Sequence, residues 1–82
     1  MKRVRYSKAG NEGLERYANM APRIRRAVAT YAAGDGAHAN QVKALKGSPT
    51  KRLRVGNFRV VFLETDTEVY VVSIGPRGDV YD

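Results

Sequence analysis

The chain has no cysteine and a single histidine, His38. Without thiols, neither a disulfide framework nor a thiolate metal site is possible, and one imidazole leaves little scope for zinc. No apolar run approaches the ~20 residues needed to span a bilayer. No repeat or low-complexity segment is present, and the opening Met-Lys-Arg-Val-Arg turns polar without the apolar stretch of a secretory signal. A cytoplasmic protein without metal, cofactor or membrane partner is expected. With 82 residues, only one domain, residues 1–82, can bury a core. A hydrophobic fraction of 43% against 28% charged residues is too apolar for intrinsic disorder.

Negative charge is also scarce. Eight Asp plus Glu stand against fifteen Lys plus Arg, giving +7, which suggests a polyanionic partner. Fourteen of the cations but only three of the acids precede residue 60, so residues 1–59 carry +11 and the remainder −4. The one late cation, Arg77, is isolated in an acidic, Gly-rich tail. No basic amphipathic helix with a bulky apolar face favours a membrane surface.

Lys2 to Tyr6 alternate as a half-buried strand, with Val4 and Tyr6 on one face and Arg3 and Arg5 on the other. Ser7 can cap a helix over residues 8–19 that is weakened by Gly10 and Gly13 and buries at most Leu14, Tyr17 and Ala18. After Ala21-Pro22 a second helix carries Ile24, Ala27, Val28, Tyr31 and Ala32 at helical spacing. Arg23, Arg25 and Arg26 fall on its first turns, where cations oppose the helix dipole, so another interaction must offset them. Residues 35–50 read as a loop, in which His38 is a solvated side chain without a role. From Lys51 the period is two: a strand, Gly56-Asn57 as a two-residue turn, a second strand, a turn at 65–67 and an apolar run from Val69 to Ile74. The fold class expected is α+β: an N-terminal strand, two helices, then an antiparallel β-meander packed against the helices.

With Gly56 and Asn57 as the turn, Val55 pairs with Phe58, Arg54 with Arg59, Leu53 with Val60 and Arg52 with Val61. Leu53, Val55, Phe58, Val60 and Phe62 then form the apolar face. Arg52, Arg54 and Arg59 converge on the other, two of them directly opposed, which is destabilising by several tenths of a kcal/mol. An anion should visit that face. Guanidinium forks match phosphate oxygens bidentately, so three arginines favour phosphodiester recognition over a diffuse lysine field. Lys51 stands beside them as a further candidate, although alternation places it on the core side or at the strand's start. The bland reading, in which long arginine stems merely cover the sheet, explains opposed cations poorly.

The run LKGSPTKRLRVGNFRVVF (residues 45–62), followed by an apolar strand and SIGPRGDVY (residues 73–81), resembles the RelE/ParE superfamily of toxins from type II toxin–antitoxin systems. The order of elements agrees too, so the likeness covers essentially the whole chain and implies the RelE-like microbial RNase fold. RelE-like members cut mRNA, generally in the ribosomal A site and without a metal: the 2′-hydroxyl attacks the adjacent phosphorus and leaves a cyclic phosphate. The resemblance implies a catalytic set of Arg59, Arg77 and Tyr81. Arg52 and Arg54, with Lys51 beside them, would bind RNA, and a cognate antitoxin would cover the basic surface. Where several relatives carry histidine before the tail arginine this chain has Pro76, and no Glu or His faces the arginines in the expected register, so a conventional general base is missing. That departure motivates the alternative of a ParE-like inhibitor of DNA gyrase with no nuclease activity.

Overall fold

The structure is a computed structural model that describes residues 1–34, 42–44, 47 and 49–76. The chain runs β1 (Arg3–Tyr6), α1 (Lys8–Arg16), α2 (Ala21–Ala32), β2 (Val42–Ala44), β3 (Thr50–Val55), β4 (Phe58–Glu64) and β5 (Glu68–Pro76). The strands form one sheet in the order β1-β5-β4-β3-β2. Among the described residues, no helix is long and apolar enough to cross a membrane.

The expected strand, two helices and meander are all present, with two additions. β2 lies inside the segment read as a loop and pairs antiparallel with β3, Lys43 standing opposite Arg52. β1 joins the sheet parallel to β5, Val4 level with Val69 and Tyr6 with Val71, so the sheet is mixed. A parallel pair needs a crossover of a dozen or more residues, which the two helices supply.

α2 sits on one face of the sheet through Ile24, Ala27, Val28 and Ala32, all buried, with Tyr31 half-buried at the margin. Leu14 of α1 joins them against Leu53, Val55, Val60, Phe62, Val69, Val71 and Ile74. The α2 stripe read at helical spacing is thus the stripe that packs. Two of its three first-turn arginines have neighbours outside the helix: Arg25 lies 5.2 Å over the Tyr6 ring, and the Arg23 guanidinium rests against the β3–β4 turn, 3.4 Å from where a Cβ on Gly56 would stand.

α1 is shorter than the pattern 8–19 implies. It ends at Arg16 with Tyr17 as its C-cap, leaving Tyr17 half-buried and Ala18 exposed. Ser7 caps it, accepting from the Gly10 amide at 3.0 Å while donating to the Val72 carbonyl at 2.9 Å. Gly10 and Gly13 are themselves buried. A Cβ at Gly10 would stand 2.9 Å from the Val71 carbonyl oxygen, and one at Gly13 would stand 2.9 Å from Ile74 Cβ and 3.0 Å from its carbonyl oxygen. The two glycines that weaken the helix in isolation are what let it lie on β5 at backbone distance.

Gly13→Ala should therefore destabilise the protein. Helix propensity alone gains about 1 kcal/mol, but forcing a methyl into backbone and a branched Cβ costs roughly 1–3 kcal/mol. Urea unfolding is expected to show a net loss of about 1 kcal/mol, and a gain would mean that α1 does not press on β5.

Candidate nucleic-acid interface

The β3–β4 turn sets the geometry of the site. Gly56 has φ +60° and Asn57 a negative φ, the combination of a type II′ turn, which leaves no residue over to shift the register. The pairing is Val55 with Phe58, Arg54 with Arg59, Leu53 with Val60 and Arg52 with Val61, as the turn dipeptide predicts. Because side chains alternate across a strand, Arg52, Arg54 and Arg59 share the sheet face turned away from the helices. Arg54 is exposed, and Arg52 and Arg59 are half-buried. Lys43 of β2, level with Arg52, adds a fourth cation to this face. Glu64 is the one acidic residue on β2, β3 or β4, and it points to the helix side.

Two further groups share the outer face. Val61 is only 6% exposed although it points outward. Arg52 opposite it and Arg59 two residues along its strand are placed to cover it with their aliphatic stems, so stem coverage and cation presentation coexist there. On the β1 side, Tyr70 stands level with Leu63 of β4 and with Arg5 of β1. The Arg5 guanidinium lies 4.7 Å over the Tyr70 ring, and its Nε is 3.2 Å from a Glu68 carboxylate oxygen.

Lys51 is not brought to the arginines. It occupies the helix side of β3 and donates to Glu64 at 2.7 Å, joined on the same carboxylate by Lys2 at 2.6 Å and the Tyr31 hydroxyl at 2.6 Å. Burial acts to raise the Glu64 pKa, but the hydrogen bonds from Lys2, Lys51 and Tyr31 and the Lys51 charge outweigh it and hold the carboxyl at about 2. Burial, with the hydrogen bond to Glu64 and its charge, pushes Tyr31 up to about 12. At the opposite margin of the helix layer, burial raises the Tyr6 pKa against the opposing charge of Arg25.

The expected site residues Arg77 and Tyr81 lie outside the described residues, as does His38. Lys43 was absent from the expected site. It lies in a three-residue strand flanked by loop-like sequence, and its place opposite Arg52 follows from a pairing that no local pattern signals. Arg5 and Tyr70 were also missed as neighbours, because only the parallel β1–β5 pairing joins them.

No family model matches the sequence, and no curated protein matches it. Solved structures do match, along nearly the whole chain. A copper-bound mutant toxin from Helicobacter pylori superposes with a TM-score of 0.82 at 16% identity, covering 99% of this chain and 100% of that one. The archaeal RelE–RelB complex from Pyrococcus horikoshii gives 0.76 at 20% identity, covering 96% and 98%. The toxin–antitoxin complex RelBE2 from Mycobacterium tuberculosis gives 0.63 at 26% identity, covering 93% and 98%. The likeness implied by residues 45–62 and the backbone comparison coincide: the chain has the α+β fold of these RelE toxin structures from β1 through β5.

Proposed function

We propose that this chain is the toxin of a type II toxin–antitoxin system and acts in the cytoplasm as a ribosome-dependent, metal-independent mRNA endoribonuclease. The observation that carries this reading is the hairpin register, which gathers Arg52, Arg54 and Arg59 on one sheet face with two of them opposed. In the reaction, the ribose 2′-oxygen loses its proton and bonds to the adjacent phosphorus. The bond from phosphorus to the 5′-oxygen breaks, and that oxygen leaves with a proton. A 2′,3′-cyclic phosphate and a 5′-hydroxyl result.

Arg59, with Arg77 from the tail, would stabilise the charge that accumulates on the pentavalent phosphorus. Arg52 and Arg54, joined by Lys43, would hold flanking phosphates, and Tyr81 would stack on a base or orient the scissile ribose. Glu64 is unsuited as the base, since it faces the helices and is already held by three donors. Lys51 is committed to that carboxylate and has no part in the proposed RNA contact. A cognate antitoxin with an acidic or amphipathic segment would cover the basic face. Two of the similar structures, from P. horikoshii and M. tuberculosis, are a RelE–RelB complex and a toxin–antitoxin complex, which supports an antitoxin partner.

Primer extension on a message under translation, with and without the purified protein, tests the reading. New 5′ ends that require both ribosome and protein are expected, and an uncut message overturns it. In direct binding to single-stranded RNA, each of Arg52→Ala and Arg54→Ala should lower the slope of log affinity against log salt by roughly 0.7, the value for one lost phosphate contact.

A further inference from the structure

The outer face of the sheet carries cations at its two sides and, apart from Glu68 at the start of β5, no charge between them. Lys43, Arg52, Arg54 and Arg59 occupy β2, β3 and β4, and Arg5 occupies β1. The strip between them on β4 and β5 carries the half-buried Leu63, Tyr70 and Ser73 beside the buried Val61 and Gly75. At a strand spacing of about 4.8 Å and a rise of about 3.3 Å per residue, Arg5, level with Tyr70, Leu63 and Thr50, stands roughly 16 Å from Arg52 and roughly 20 Å from Arg54, a span that a short single strand laid obliquely across the sheet can cover. Phosphates need cations, so what rests over the uncharged strip is base or sugar.

Arg5 ends that strip on the edge strand β1. Its Nε is anchored on Glu68 and its guanidinium is laid over the Tyr70 ring, yet the side chain remains 55% exposed. The guanidinium thus has an aromatic ring within cation–π distance and a carboxylate at its Nε, while the side chain stays largely open to solvent. A flat guanidinium oriented in advance is one of the surfaces on which single-stranded RNA bases stack. We propose that Arg5, supported by Tyr70 and Glu68, is a stacking post for an RNA base lying beyond the phosphates held by Arg52, Arg54 and Arg59. This inference rests on the RNA-binding reading above and adds a subsite to it.

A lysine at position 5 keeps the charge and removes the plane, which separates stacking from simple attraction. Fluorescence anisotropy would compare a short labelled single-stranded RNA with the same oligonucleotide made abasic, for the wild type, Arg5→Lys and Tyr70→Phe. Stacking predicts that Arg5→Lys binds the normal oligonucleotide about 5- to 100-fold more weakly, while its affinity for the abasic strand is unchanged. Tyr70→Phe, which keeps the ring, should bind like the wild type. An unchanged affinity of Arg5→Lys for the normal strand overturns the post, as does an equal loss on both strands, which would make Arg5 a charge and nothing more. If the wild type binds neither strand, the RNA reading falls with it. If Arg52→Ala and Arg54→Ala weaken binding and Arg5→Lys does not, only the post falls.

Discussion

Arg59→Ala should abolish most message cleavage, lowering the rate about 10² to 10³-fold. The magnitude follows from where Arg59 sits. It lies on β4 between Arg54 on β3 and Gly75 on β5, within the sheet rather than on a loop, and it is half-buried. In the proposed reaction, a guanidinium rooted on an inner strand would act on the developing phosphorane with little cost of reorganisation. Its rigid fork also matters. Arg59→Lys keeps the charge but offers a single rotatable ammonium in place of two parallel N–H donors, so it should recover only part of the activity. Both variants would be assayed by primer extension in a translating extract, beside a thermal melt. Cleavage within a few-fold of wild type by a folded Arg59→Ala protein would remove Arg59 from the chemistry.

How much of this could be read in advance depended on whether the determining contact was local. The β3–β4 hairpin was fully legible, because Gly56-Asn57 fixes a two-residue turn and every pair then follows by counting. That carried the arginine face with it. The α2 stripe was legible for the same reason, Ile24, Ala27, Val28 and Ala32 repeating within one element. What local pattern could not supply was long-range pairing. The parallel seating of β1 on β5, which creates the Arg5–Tyr70 neighbourhood, depends on a crossover more than sixty residues long in sequence separation. Gly10 and Gly13 were read by helix propensity as weak points, whereas tertiary approach to Val71 and Ile74 decides their role. β2 was missed because three residues flanked by loop-like sequence carry too little periodicity to register. Alternation had placed Lys51 on the core side or at the strand's start. The structure adds its partner, Glu64, which was unforeseeable because Lys2 and Tyr31 arrive at that carboxylate from elsewhere in the chain.

That carboxylate should set the acid limit of the fold. Folded Glu64 titrates at about 2 against an ordinary 4.5, so it binds fewer protons than its unfolded counterpart. Its contribution is complete above pH 4.5 and is lost as pH falls towards 2. The difference corresponds to at most about 3 kcal/mol. Lys2 and Lys51 are 31% and 38% exposed, and solvent screening brings the expected figure nearer 1–2 kcal/mol. Tyr31 sets a matching alkaline edge with the opposite sign. Its pKa is raised from 10 to about 12, so the stability it contributes is present below pH 10 and declines between pH 10 and 12. Glu64→Gln should remove most of the acid dependence while leaving the core in place, seen as a flatter profile of urea-unfolding stability between pH 5 and 2.5. Lys51→Met is the sharper variant, since a lysine that only holds Glu64 and one that holds RNA make opposite predictions. It should weaken the fold near neutral pH and narrow the acid-dependent window, while the salt slope of RNA binding stays at the wild-type value. A reduced slope would place Lys51 on the RNA after all, and an unchanged acid profile would mean that its ammonium does not hold the Glu64 carboxylate in solution.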